Sequence, residues 1–368
     1  MSASNDRLAT TLLKPLDRGG ILWFLFVGFL ATVVGCGLFA WGFQMWEGFG
    51  LTGKRWPVFW GFLITNFVFW IGISHAGTLI SAILRLVNAG WRRPVTRCAE
   101  VITAFALMIG GLFPIIHLGK PWLFFWLVPY PNRRLIWPNF RSPLVWDFFA
   151  ISTYLTGSLL FLFLPMIPDF ALVRDRSTGL RRTIYGALAL GWRGTTAQWH
   201  RLETAMQIMA IAIIPVAVSV HTIVSFDFSM APVPMWHSTI FGPYFVAGAI
   251  FSGIAGLIIA MATLRRVLKL EEYLEDIHFE NLGKLLLTMS LLWGYFTFNE
   301  RLTTWYGNAT AEFNTFQVTQ SGTYSPLFWT MVVVNFVIPV CILSIRRFRT
   351  ITRSEEHTSE LQSHLNLV

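Results

Sequence analysis

Asp147 lies thirty positions after His117, and the interval between them holds four Trp and five Pro. An imidazole and a carboxylate can each accept a proton during a reaction when their surroundings tune them to it. Apolar, aromatic walls around such a pair suit a flat, membrane-soluble ring. Other polar side chains stand out from apolar sequence. They are His75 in "GISHAGT", His221 and Asp227 in "VSVHTIVSFDF", and Glu300 with Arg301 in "FNERLTTWYG". Three chemistries use such a set. A quinol sheds two protons and two electrons on oxidation, and a His and an Asp at its two oxygens can take the protons. Haem of the b type needs histidines on facing helices at one depth. For that, His117 and His221 are a conceivable pair, whereas His75 has no evident partner. Ion or proton-coupled transport would place charges near the middle of the membrane, where only His75 is expected.

The elements that must position these residues are membrane-spanning helices. Of 368 residues 54% are hydrophobic and only 13% charged, against about 25% charged in a soluble domain. Eight stretches carry the 20 or so apolar residues that a span requires: 21–46, 56–87, 97–119, 142–168, 202–230, 240–264, 280–305 and 325–345. Backbone groups in lipid must be satisfied within the segment, so these read as helices. The net charge of +9 does not point to nucleic acid, because the Lys and Arg lie between the apolar stretches. Leaving aside Arg301, which falls within a stretch, they number 21 on the side of the N-terminus and six on the other, which predicts a cytoplasmic N-terminus. Cys36, Cys98 and Cys341 are scattered and offer no metal or cluster framework. The first apolar stretch is too long for a signal-peptide core and is read as a retained helix.

With that orientation, His117, Asp147, His221, Asp227, Glu300 and Arg301 all fall towards the outer face, and His75 lies near the middle of its helix. The loop from His117 to Asp147, rich in Trp and Pro, is expected to be rigid and to dock another protein. The last residues differ. "SEEHTSELQSH" resembles the translation of a common sequencing-adapter oligonucleotide. Residues 354–368 are therefore expected to be non-native, with the natural chain continuing beyond Arg353.

Two stretches, "HLGKPWLFFWLVPYPN" and "LIWPNFRSPLVWDFF", carry a family resemblance. They are similar to the NrfD-like (polysulfide reductase membrane subunit) family, and within it to the larger quinol-binding subunit of bacterial alternative complex III. The similarity extends over about residues 20–350, through "TNFVFWIGISHAGTLISAILRL" and "WHSTIFGPYFVAGAIFSG". It implies an all-α, polytopic integral membrane protein of the bacterial cytoplasmic membrane. Residues 1–20 would be a cytoplasmic segment and 21–350 the transmembrane domain, its eight visible helices forming two four-helix bundles, with further helices missing. It implies menaquinol or ubiquinol as substrate, with no haem or iron–sulfur cluster on this chain. Electrons would pass to an extracytoplasmic iron–sulfur subunit and multihaem c-type cytochromes, and on to a terminal oxidase. A second NrfD-like membrane subunit would sit alongside, and proton translocation would be coupled. By motif position the proton-accepting pair falls on His117 and Asp147. The wider quinol-binding set is read as those two with Trp122, Arg141, His221 and Asp227, and a proton pathway as His75, Glu300 and Arg301. A quinone-reducing subunit of a polysulfide reductase-like enzyme, or a proton-coupled transporter, is the alternative.

Overall fold

A computed structural model describes residues 20–54, 60–128, 140, 142–229 and 238–349, without the side chains of 143, 144, 227, 228, 311 and 347. The described residues are helical, with no strand among them. The long helices are α1 (Ile21–Glu47), α2 (Phe62–Leu86), α3 (Arg92–His117) and α4 (Pro143–Asp175). A short helix α5 (Gly179–Leu188) precedes α6 (Thr196–Ser229), α7 (Phe241–Leu268) and α8 (Asp276–Gly307). Then come α9 (Thr310–Gln320), α10 (Ser325–Leu343) and the single turn α11 (Arg346–Arg349). Each of the eight expected stretches carries a helix among its described residues. Seven, α1 to α4, α6, α7 and α10, are long and apolar enough to cross a membrane. The chain is a multi-pass integral membrane protein. α8 spans 32 residues but falls short on apolarity, since it carries Asp276, Glu280, Lys284, Glu300 and Arg301. Helices α5 and α9 lie where loops are expected. Both are too short and too polar to span, and the expectation counted only spans.

The chain divides into two units, residues 1–59 with 118–123, and residues 60–117 with 124–368. In the first, α1 is apolar along its whole length, and the chain after it turns through Gly48 (φ +88) into a 3-10 turn, Phe49–Thr52. Gly119 (φ +70) packs on the Phe49 ring, which fills the space that a Cβ would need. Any other residue there would meet both backbone strain and a clash.

In the second unit α2 is the central helix. It packs on α3, α6 and α7. Gly77 sits so close to α3 that a Cβ would strike the Thr103 hydroxyl and the Ala99 carbonyl, and Gly253 of α7 sits as tightly on Ala76. Small residues give spanning helices this close approach. α2 also reverses the usual amphipathic pattern. Ser74, His75, Thr78, Ser81 and Arg85 recur at helical spacing and are all buried, while Phe62 and Phe69 face outward. Two apolar clusters flank that stripe, one around Phe67, Tyr154 and Ile213, the other around Leu84, Ile254 and Leu282.

Helix ends are tied by charge at one end of this unit. Arg85 meets Glu203 at 3.3 Å, Arg97 meets Asp169 at 3.0 Å, and Arg265 meets Asp276 at 3.0 Å. α10 contains a π-helical turn, Val333–Val337. The Ser290 hydroxyl of α8 donates to the Asn335 carbonyl within it at 2.6 Å, and Gly294 makes room for Phe336. Such a turn frees carbonyls from the regular ladder, and α8 supplies a donor for one.

Candidate functional site

The antiparallel run of α2, α3, α4 and α6 brings the start of α2, the end of α3, the start of α4 and the end of α6 to one end of the second unit. His117 closes α3 there, three residues after Pro114. Its ring stacks on Trp60, with centroids 3.6 Å apart and planes within 2°. Trp60 in turn stacks on Phe67 at 6.0 Å. A flat, half-buried imidazole is thus held against indole. Asp147 lies one turn inside α4 and is 2% exposed. A carboxylate at that depth is costly to insert and stands out as a functional candidate.

Deeper in the unit the polar groups converge. His75 of α2 stacks on Tyr154 of α4 with centroids 4.2 Å apart and planes at 16°. His221 of α6 approaches the same His75 ring at 4.7 Å. His75 is 1% exposed, His221 2% and Tyr154 0%. The Ile71 carbonyl lies 2.8 Å from Nδ1 of His75, and the Phe245 carbonyl lies 3.1 Å from Nε2 of His221. A carbonyl only accepts, so each of those nitrogens carries its proton. In the neutral rings Nε2 of His75 and Nδ1 of His221 are then bare acceptors. Neither completes a hydrogen bond among the described residues, although the Ala217 backbone faces the His75 ring.

From Tyr154 a line of hydroxyls runs on between α2 and α3. Tyr154 donates to Thr78 at 2.7 Å, Thr78 to Thr103 at 3.5 Å, and Thr103 to the Ser74 carbonyl at 2.9 Å. One turn further along α2, Ser81 donates to Glu100 at 2.6 Å. Glu100 is 3% exposed. The charged end follows, with Arg85 and Glu203. Imidazole, phenol, hydroxyls and a buried carboxylate thus line the same face of α2 from its middle to its charged end.

Several expectations need revision. His75 is not isolated, since His221 and Tyr154 are its neighbours. Counting residues from the loops separates His75 and His221 in depth. However, α6 has 34 residues, about 50 Å at 1.5 Å per residue, and exceeds a hydrocarbon core of about 30 Å. Residue counts along so long a helix do not fix depth. Of the conceivable haem pair, His117 stacks on Trp60 at the end of α3, whereas His221 meets His75. Glu300 and Arg301 belong to another cluster. Glu300 accepts from Ser238 at 2.6 Å, and Arg301 donates to Thr319 at 3.0 Å and covers the Phe328 ring at 4.7 Å. With Tyr244 and Thr297 they line a small cavity of about 60 Å³. Trp122 lies on the 3-10 segment Pro121–Leu127 and is 58% exposed. Arg141 and the side chain of Asp227 lie outside the described residues, as do residues 129–139 of the loop between His117 and Asp147.

Tyr154, Thr78, Thr103, Ser81 and Glu100 are not singled out by sequence alone. The signal for Glu100 was present, as an acid inside an apolar stretch. Tyr154 stands in "STYLTGS", where hydroxyls are common on helices and only the stack marks it out.

A family model described as "Polysulphide reductase, NrfD" matches residues 50–355. This chain belongs to the NrfD family. Three relatives give the NrfD chain its wider setting. The membrane subunit of a putative dimethyl sulfoxide reductase of Halobacterium salinarum is 28% identical over 257 residues, 69% of this chain and 55% of its own length. A selenate reductase subunit of Mesobacillus selenatarsenatis is 29% identical, over 64% of this chain and 54% of its own. An Hdr-like menaquinol oxidoreductase integral membrane subunit of Archaeoglobus fulgidus is 24% identical over 336 residues, 90% of this chain and 73% of its own. The chain therefore spans about half the length of the first two.

Proposed function

We propose that this NrfD-family chain is the quinol-oxidising membrane subunit of a respiratory electron-transfer complex. The quinol ring binds between His117 and Asp147, and these two residues accept its protons. Its two electrons leave for an iron–sulfur subunit on the extracytoplasmic face, then for multihaem c-type cytochromes and a terminal oxidase, the arrangement of alternative complex III. Arg141, His221 and Asp227 are the further residues we assign to quinol contact. The N-terminus is cytoplasmic, and the eight expected spans form two four-helix bundles.

The observation that carries this reading is Asp147, a carboxylate 2% exposed one turn inside α4. A buried acid near a helix end, with an indole-stacked imidazole closing a neighbouring helix, gives proton acceptors at the level where a membrane-soluble ring would dock. The Archaeoglobus relative is a subunit of a menaquinol oxidoreductase, which supports the choice of substrate. The two reductase relatives fit the same direction of use, in which partner proteins draw electrons from the quinol pool to reduce a terminal acceptor; the reverse direction would make this chain a quinone-reducing subunit.

Proton translocation is the second part of the proposal. It draws on the buried series His221, His75, Tyr154, Thr78 and Thr103, continued by Ser81 and Glu100, which joins the middle of α2 to its Arg-rich end. An added proton on Nε2 of His75 would face the Ala217 backbone. Glu300 and Arg301 belong to a separate cluster and are not needed for this leg.

The test is anaerobic addition of menaquinol to the complex purified with its partners. Reduction of the partner clusters or haems, read by their absorbance, is expected. Purification of the chain without any redox partner, together with proton-dependent solute uptake in vesicles, would favour a transporter instead.

A further inference from the structure

The short helix α5 wears its amphipathic pattern inside out. Towards the protein it turns Tyr185, whose ring meets Phe170 of α4 at 6.0 Å, and Gly186, whose open side faces the Arg174 side chain. Its apolar stripe of Leu180, Ile184 and Ala187 faces away, with Leu180 76% and Ile184 50% exposed. Two residues past the helix, Leu190 holds φ +46 and is 67% exposed. A leucine seldom adopts that backbone conformation. The segment is nonetheless anchored, because Ala189 and Trp192 are buried in a cluster with Ile167, Ala171 and Leu202. A fixed backbone thus presents three large aliphatic side chains outward.

A helix on a watery surface turns its apolar stripe to the core. α5 has ten residues, about 15 Å of helix, half the thickness of a hydrocarbon core. A helix too short to span that still turns an apolar stripe outward belongs at the boundary between acyl chains and headgroups. Trp199, half-exposed and edge-on to Trp192 at 5.0 Å, marks the same level, where indoles collect. Charge then selects the lipid. Residues 174–203 hold six arginines and two acids. Both acids are engaged, Asp175 by Arg174 at 2.8 Å, with Arg182 near it, and Glu203 by Arg85 at 3.3 Å. Arg182, Arg193 and Arg201 are exposed. A guanidinium matches a phosphate in geometry and charge. A choline headgroup brings its own cation to that phosphate, whereas a glycerol headgroup leaves it free.

We propose that α5 and the turn after it form a docking surface for anionic phospholipid of the phosphatidylglycerol type. Leu180, Ile184 and Leu190 lie among its acyl chains, and Arg182, Arg193 and Arg201 meet its phosphates. Asp147 lies near the start of α4 and α5 follows its end, so this surface is at the opposite end of the unit from the proposed quinol pair. It stands whether or not the chain oxidises quinol.

Photolabelling of the purified complex in phosphatidylcholine nanodiscs tests this. Two probes are compared at equal low content, a phosphatidylglycerol and a phosphatidylcholine with the same photoreactive acyl chain. Labelled peptides are mapped by mass spectrometry and scaled to the total label on the complex. Both probes should label the peptide covering residues 180–190, the phosphatidylglycerol about fivefold more strongly or better, since one arginine near an anionic surface is worth about that factor. Arg182→Gln, Arg193→Gln and Arg201→Gln together should bring the phosphatidylglycerol label down to the phosphatidylcholine level and leave the latter in place, with the thermal midpoint unchanged. High salt should act in the same direction. Equal labelling by the two probes in the unmodified complex, or a preference that survives the triple substitution, would overturn the proposal. Absence of label from either probe, with a photo-crosslinking amino acid at position 180 joining a second polypeptide, would make the surface a protein interface and overturn it as well.

Discussion

Helices α2 and α10 are both apolar enough to cross a membrane, yet 72% of the apolar window is buried in α2 and 6% in α10. Apolarity does not separate them. What separates them is the packed face. α2 presents Gly72, Ala76 and Gly77 for close approach and Ser74, His75, Thr78, Ser81 and Arg85 for interhelical hydrogen bonds and charge. α10 buries Phe328, and its polar tie to α8 is a backbone carbonyl in a π-turn. In lipid an apolar side chain gains nothing by turning inward, because acyl chains solvate it equally well. Small and polar residues decide which helix becomes the centre. The helix with a buried stripe of hydroxyls and an imidazole is therefore the core, the reverse of a soluble protein.

Substitutions on the two helices put this contrast at risk. Gly77→Leu should do most, since even a Cβ there meets the Thr103 hydroxyl and the Ala99 carbonyl. Extra methylenes in a packed core cost about 1–3 kcal/mol and occasionally more; here four added carbons meet backbone as well as side chain, so the loss should exceed that range, and the purified complex should lose the subunit or unfold several degrees earlier. Ile71→Ala, at a site with 0% exposure, should cost about 2–5 kcal/mol, read as a lower thermal midpoint in detergent. Ser81→Ala leaves Glu100 without its 2.6 Å donor, and a buried acceptor so stranded costs about 1–3 kcal/mol. Leu327→Ala on α10, 71% exposed, should change stability by no more than about 0.5 kcal/mol. If Leu327→Ala proved as damaging as Ile71→Ala, α10 would have a partner face of the same kind as α2, and the contrast would fail.

Much of the helical layout was legible in the sequence, because the length of an apolar run and the cost of unpaired backbone in lipid act on each segment alone. The resemblance around His117 and Asp147 also pointed to the family correctly. The meeting of His75, Tyr154 and His221 was not legible. It depends on how far α6 extends beyond a single membrane thickness and on the close seams at Gly77 and Gly253, which are properties of pairs of helices. Glu100 stands as an acid in an apolar stretch and was passed over, and its partner Ser81 looked like any helical serine. Glu300 and Arg301 were grouped with the other outer residues by depth, whereas lateral position puts them beside α9 and α10 with Thr319 and Phe328.

The most direct test is the rate of menaquinol oxidation by the assembled complex carrying Asp147→Asn, with partner proteins shown to be present and chemically reducible. Loss of a positioned proton acceptor lowers a rate by about 10²–10⁴-fold, and a fall of that size is expected, with His117→Ala acting in the same direction. Turnover within about twofold of the unmodified complex in both variants, far below the general-base range, would contradict the account.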